Sequence, residues 1–174
     1  TIITSVSQLV TLPLQGVCQG GQPIISYNYG AGHGDRVKKT FFLVFSVCMT
    51  YTVLFWAAVL LFPSVFAGIF TTNAELSGYT SWALRVYMAG IFACGAQCSC
   101  QQSFMALGQA KVSLLLACLR KIVLLIPFIL ILPHVLPFDP VFSVFLAEPV
   151  SDIAAAVITT ITFLTRFNRI LEMR

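Results

Sequence analysis

The feature that most constrains this chain is the spacing of its charges. No charged residue lies between positions 1 and 34, 40 and 74, 86 and 110, or 122 and 138. An α-helix rises about 1.5 Å per residue, so about 20 apolar residues cross a hydrocarbon core of roughly 30 Å. Charged residues make up only 9 % of the chain, against about 25 % in soluble domains. The sequence therefore predicts an all-α, polytopic transmembrane helical bundle in a lipid bilayer.

Hydrophobic runs divided by turn-forming residues predict five membrane spans, at about 4–27, 37–62, 82–107, 111–133 and 141–166. The links between them hold Gly, Asn and Pro, as in "YGAGHGD" and "LPHVLPFDP", which end helices for steric reasons. A chain that starts without Met, inside an apolar run, is interpreted as a fragment.

Lysine and arginine at the span ends predict the orientation of the bundle. Nine lie on one side and only Arg85 on the other, if Arg120 and Lys121 extend to the nearer interface as anchors. The first, third and fifth spans then run inward, which places the C-terminus in the cytoplasm. The net charge of +4 follows from such loops, and no nucleic-acid partner is expected.

The first span carries a polar stripe at helical spacing, which consists of Thr4, Gln8, Thr11, Gln15, Gln19, Gln22 and Ser26. Such a face cannot lie against lipid, where an unpaired amide costs several kcal/mol. It serves either as hydrogen-bonding glue between helices, with glycines that permit close approach, or as the lining of a wet cavity. A stripe of this length favours the cavity, with Gln15, Gln19 and Gln22 as its lining.

The third span repeats this pattern, with Gln97 and Gln101 on one helical face beside Cys94 and Cys98. We predict that both glutamines line the same cavity. Metal binding by Cys94, Cys98 and Cys100 is not favoured, because Cys100 points away and no histidine is near. The six cysteines are interpreted as small buried apolar residues.

The fifth span holds Glu148 and Asp152, one helical turn apart, inside an apolar segment. Carboxylates at membrane depth are costly and by default mark ion or proton pathways. The alternative is a structural role, in which they cap a kink or bind another helix. We predict that Asp152 and Glu148 couple transport to an ion or proton.

Four segments resemble helices eight to twelve of the multidrug and toxic compound extrusion (MATE) family: "GVCQGGQPIISYNYGAG", "LFPSVFAGIFTTNAEL", "FMALGQAKVSLLLACLRKIVLLIPFILILP" and "LAEPVSDIAAA". They occur in the family's order and cover essentially the whole chain. The resemblance implies that residues 1–174 are part of the C-terminal lobe of a twelve-helix, two-lobe transporter. The remaining partner would be the missing N-terminal lobe.

The resemblance also implies secondary active efflux of cationic or amphipathic small molecules in exchange for H⁺ or Na⁺, by alternating access in a bacterial plasma membrane. Some members carry a sodium-binding acid in the tenth helix, but this chain has no acid between Glu75 and Asp139, so the coupling ion stays open. No other cofactor and no enzymatic activity are expected. The alternatives are a lipid-linked oligosaccharide flippase of the same superfamily and a non-transporting membrane scaffold.

Overall fold

The computed structural model describes residues 2–70, 74–135 and 140–172, and it is helical throughout with no β-strand in those ranges. The described residues form eight α-helices, and two of the junctions between them are formed by other helix types. The α-helices are α1 (Ile2–Gly30), α2 (Gly34–Leu61), α3 (Pro63–Phe70), α4 (Ala74–Tyr87), α5 (Ala93–Ala106), α6 (Ala110–Cys118), α7 (Ile126–Val135) and α8 (Pro140–Glu172). The predicted all-α fold is confirmed for the described residues.

Two predicted spans contain interruptions that the hydrophobic pattern did not reveal. The segment predicted at 82–107 divides into the end of α4, a 3₁₀ turn at Met88–Gly90, and α5. The segment predicted at 111–133 contains a π-helical stretch, Leu119–Leu125, between α6 and α7. By contrast, α1 continues through Pro13 and Pro23, and α8 through Pro149.

Three described helical segments are long and apolar enough to cross a membrane: Gly34–Leu61, Ala110–Leu132 and Phe142–Glu172. The first helix is long enough, at 29 residues, but its polar stripe lowers its mean hydropathy. The 3₁₀ turn interrupts the third predicted span, which contains the end of α4 and the whole of α5, and each of these α-helices has only 14 residues. Membrane crossing by each of the five predicted spans stays a prediction.

The helices pack around two apolar clusters, one at each end of the bundle. One joins Val6, Val10 and Leu14 of α1 to α2 and to the region of Met88. The other is aromatic and brings Phe41, Phe104, Phe163 and Phe167 together; the rings of Phe41 and Phe163, for example, have centroids 4.5 Å apart. The helix α5 lies centrally and contacts α1, α2 and α8.

Glycines allow the helices α2 and α8 to approach the central part of the bundle closely. A Cβ at Gly95 would lie 2.5 Å from Thr52 Oγ1 and 2.9 Å from the Cys48 carbonyl oxygen, and one at Gly90 would lie 2.7 Å from Pro149 Cα. On α1 only Gly21 has this role, because a Cβ there would meet Val44. Space is open at the other two glycines of the stripe region, Gly16 and Gly20. The predicted close approach on α1 is therefore correct for Gly21 alone.

Candidate functional site

A polar cavity of about 190 Å³ lies between α1, α5 and the π-helical segment. Four of its lining residues are glutamines, and one is a cation. The lining consists of Thr11, Leu14, Gln15, Cys94, Gln97, Cys98, Gln101, Gln102 and Arg120. Both polar stripes recognised in the sequence thus contribute to one cavity.

The amides of the cavity differ in their surroundings. Gln97 is only 3 % exposed, and its Oε1 atom has no hydrogen-bond partner among the described residues. Gln101 and Gln102 are half-buried, and Gln15 is exposed. An unpaired buried amide oxygen is costly, and the cavity beside Gln97 offers room for a water or a ligand group that would bind it.

The stripe on α1 divides between the cavity and the open surface. Thr11 and Gln15 line the cavity, whereas the exposed Gln19 and the half-buried Gln22 lie outside its lining. Within the described residues, Gln15, Gln19 and Gln22 form no hydrogen bond to another helix. A described hydrogen bond between α1 and α2 instead runs from Tyr51 Oη to the Leu9 carbonyl oxygen, at 2.9 Å.

Each predicted coupling acid forms an ion pair with the π-helical segment. Arg120 binds Asp152 Oδ1 through Nε and Nη2, both at 2.7 Å. Lys121 Nζ lies 3.2 Å from Glu148 Oε1. The first pair is the more enclosed, with side-chain exposures of 25 % for Arg120 and 8 % for Asp152. The acids therefore do not face each other as an isolated carboxyl pair.

The prediction that Arg120 and Lys121 anchor the helix at an interface is wrong. Lys111 marks the predicted cytoplasmic end of this span, and Arg120 lies nine residues further into it. This is a rise of about 14 Å, which is longer than an arginine side chain, so Arg120 cannot reach that interface. A π-helix has more residues per turn than an α-helix, so neighbouring side chains diverge less, and both cations reach α8. Seven cations remain on the predicted cytoplasmic side, one of them, Arg174, outside the described residues.

The ion pair of Arg120 links the cavity to the acid predicted in the sequence. Arg120 lines the cavity, while Asp152, Glu148, Gln19 and Gln22 do not. The structure thus brings together Gln15, Gln97 and Gln101, and it places Asp152 directly behind Arg120.

Sequence reasoning missed Arg120 as a site residue. The available signal was its position near the middle of a predicted span, where an ionisable residue by default indicates function.

The cysteines all lie within the described residues and are free thiols. Cys18 and Cys48 approach each other, with their sulfur atoms 3.5 Å apart. Cys118 is exposed and Cys98 is half-buried, which departs from the expectation that all six are buried. The described residues contain no group of three or more His, Cys, Asp or Glu side chains that could hold a metal ion.

Comparison with known proteins places this arrangement in a family. The multidrug export protein MepA of Staphylococcus aureus (strain NCTC 8325 / PS 47) is 27 % identical over 158 residues, which is 87 % of this chain and 33 % of MepA. MepA of Staphylococcus saprophyticus is 26 % identical over 155 residues, with the same coverage. The chain thus spans about one third of the length of these relatives.

Solved transporters share the fold of the chain. The MATE multidrug transporter DinF-BH, solved with a ligand bound, aligns with a TM-score of 0.83 at 30 % identity, over 97 % of this chain and 37 % of that protein. A MATE transporter in a bent conformation aligns with a TM-score of 0.90 at 17 % identity, over 99 % of this chain and 38 % of that protein.

The family assignment rests on a match that covers most of the chain. Residues 1–131 match the MatE family, and the resemblance inferred from the four sequence segments is thereby confirmed. The named relatives are export proteins and transporters. The chain belongs to the MatE family.

Proposed function

We propose that this chain forms part of a secondary active transporter that exports cationic or amphipathic compounds in exchange for H⁺ or Na⁺. The observation that carries the proposal is the amide-lined cavity with the Arg120–Asp152 ion pair at its wall. The names of the relatives, multidrug export protein and multidrug transporter, support it. Because the chain spans about one third of those relatives, the activity belongs to the complete transporter.

The ion pair offers a physical route for coupling to a proton. A proton that binds Asp152 removes the negative charge that holds Arg120, so the link between α8 and the π-helical segment weakens. Ion or proton binding then shifts the balance between outward-facing and inward-facing states, as alternating access requires. In this proposal Asp152 carries the coupling charge. Glu148, paired with Lys121, contributes a second carboxylate to the charge balance beside it.

The proposed location is a bacterial plasma membrane, with several spans and a cytoplasmic C-terminus. The seven cations that remain on one side, against Arg85 on the other, support this orientation. In the bilayer, the exposed apolar faces of the Gly34–Leu61 and Ala110–Leu132 segments would contact lipid.

Two other functions are less well supported. A flippase for lipid-linked oligosaccharides would favour a large cationic cavity, whereas this one is small and has four glutamines but only one cation in its lining. A scaffold would use the polar stripes as glue between helices. The unpaired Gln97 oxygen and the lack of interhelical hydrogen bonds from Gln15, Gln19 and Gln22 among the described residues argue against glue.

Substitution of Asp152 tests the proposal in the complete transporter. We expect Asp152→Asn to lower the efflux of a fluorescent lipophilic cation such as ethidium at least about tenfold, with membrane expression intact, because the coupling charge is lost. The matched control is Glu172→Gln, an exposed acid near the end of the same helix, which should leave efflux unchanged. Normal efflux by Asp152→Asn would contradict the proposed coupling role.

A further inference from the structure

The charge distribution at the cavity suggests which part of a substrate it accepts. Among the described residues, the lining contains one charged group, the guanidinium of Arg120, and no carboxylate. Asp152 lies behind Arg120 and accepts its hydrogen bonds, and Glu148 accepts one from Lys121. The ion pair as a whole is neutral, but its positive end borders the cavity. An ammonium group inside the cavity would therefore be repelled by the guanidinium of Arg120.

Arg120 retains hydrogen-bonding capacity in this position. A guanidinium has five N–H donors in a fixed fork, and Asp152 engages Nε and Nη2 through a single oxygen atom. The Nη1 donors have no described partner, and the side chain is 25 % exposed at the cavity. A planar oxyanion is the ligand that suits such a fork best.

The neighbouring amides complete a site for a polar group. Gln15, Gln97, Gln101 and Gln102 each carry an NH₂ donor and a carbonyl acceptor. Gln97 is almost fully buried there and has an unpaired oxygen, so its amide is available to a ligand. None of these groups adds a negative charge that would repel a carboxylate.

The size of the cavity limits what can enter it. Its volume of about 190 Å³ is below the range of roughly 300–1,000 Å³ that holds a whole drug-sized ligand. It is several times larger than the volume that one molecule occupies in liquid water, about 30 Å³. The cavity therefore fits a polar substituent of a substrate rather than the entire molecule.

We propose that this cavity binds the carboxylate of zwitterionic amphipathic substrates, with the Arg120 guanidinium as its anion contact and Gln97 and Gln101 as neutral partners. The proposal rests on the proposed export function and narrows its substrate class. The cationic part of such a molecule then lies outside the cavity.

Equilibrium binding to the purified complete transporter tests the proposal independently of transport. The probes are a zwitterionic amphipath that carries an amine and a carboxylate, and its methyl ester, which keeps the amine and loses the negative charge. For the wild type we expect tighter binding of the acid than of the ester. Arg120→Gln should raise the Kd of the acid at least tenfold and leave that of the ester within about twofold.

Loss of folding in Arg120→Gln is a concern, because the variant leaves Asp152 without its cation. The double variant Arg120→Gln/Asp152→Asn removes both charges and keeps a neutral pair of similar shape. It should show the same selective loss of acid binding. The matched control is Lys121→Gln, which removes the adjacent cation from outside the cavity lining and should not change the ratio of the two Kd values.

Several results would overturn the inference. These are equal weakening of acid and ester by the double variant, preferential loss of the ester, or a wild type that binds the ester but not the acid. If ethidium is exported normally while acid binding does not depend on Arg120, the substrate-class inference fails and the export function stands. If the wild type exports neither ethidium nor the ester, the export function itself fails.

Discussion

The helices α1 and α5 carry similar polar stripes, yet the structure uses them differently. On α5, Gln97 is buried and Gln101 is half-buried, and a Cβ at Gly95 would overlap α2. On α1, Gln15 and Gln19 are exposed and Gly16 has open space around it. The same residue types at the same spacing therefore fill a packed interior in one helix and an open face in the other.

The extent to which neighbouring helices enclose each helix accounts for this difference. α5 contacts α1, α2 and α8, so packing surrounds most of its circumference. α1 buries only the side that bears Val6, Val10, Leu14 and Cys18. A stripe of small and polar residues thus reports that a face avoids lipid. Whether that face is packed or wet depends on the partners that the fold supplies.

The largest effect should come from adding one methyl group to each helix. Gly95→Ala would force a Cβ against Thr52 and the Cys48 backbone, and overpacking of this kind costs about 1–3 kcal/mol. Gly16→Ala meets no atom within 4 Å, and it gains helix propensity of up to about 1 kcal/mol. Thermal unfolding of the purified transporter should show opposite shifts in Tm, and equal shifts would contradict the contrast between the helices.

Replacement of one amide in each stripe should separate stability from function. Gln97→Met removes a buried, unpaired oxygen and keeps a similar volume, so we expect Tm to stay the same or to rise, by an amount equivalent to about 1 kcal/mol. Efflux should fall severalfold, because the cavity loses a polar group.

The control for this substitution is Gln19→Met, an exposed position outside the cavity lining. It should change both quantities less than Gln97→Met does. A clear fall in Tm for Gln97→Met would instead indicate that Gln97 stabilises the bundle by hydrogen bonds between helices.

Much of this architecture could be predicted from residues alone. The charge-free runs predicted helices, and the spacing of Gln15, Gln97 and Gln101 predicted a shared polar site that the structure contains. The 3₁₀ turn at Met88–Gly90 was not predicted, because an isolated glycine such as Gly90 is tolerated inside a helix and does not by itself indicate a break. Its position is set by tertiary packing, in which Gly90 lies against Pro149.

The pairing of the acids was harder to anticipate. Reading the segment at α-helical spacing makes Arg120 and Lys121 diverge, whereas the π-helical stretch lets both reach α8. The sequence therefore predicted only part of the site. The amides recur at α-helical spacing and could be recognised, whereas the position of Arg120 depends on the π-helical stretch, which the sequence pattern does not reveal.

The smallest effect concerns a single hydrogen bond between packed helices. Thr52 Oγ1 donates within α2 and also approaches the Phe92 carbonyl oxygen, at 3.2 Å. Thr52→Val should lower stability by about 0.6 kcal/mol, the average for such bonds in membranes. The control Thr162→Val removes a hydroxyl bonded only within α8, to the Ile158 carbonyl oxygen, and should cost less. Equal losses would show that the hydrogen bond from Thr52 to the Phe92 carbonyl adds nothing to stability.

The most direct test of the account is whether water reaches the amide-lined cavity. In a complete transporter whose native cysteines are replaced by alanine, Gln15→Cys and Gln101→Cys, at an exposed and a half-buried position of the cavity lining, should react with a membrane-impermeant thiol reagent. Leu115→Cys, on an exposed apolar position of α6, should be protected by lipid. We expect labelling at positions 15 and 101 at least about tenfold faster than at 115. Protection of all three positions to the same degree would contradict the cavity and favour a dry scaffold.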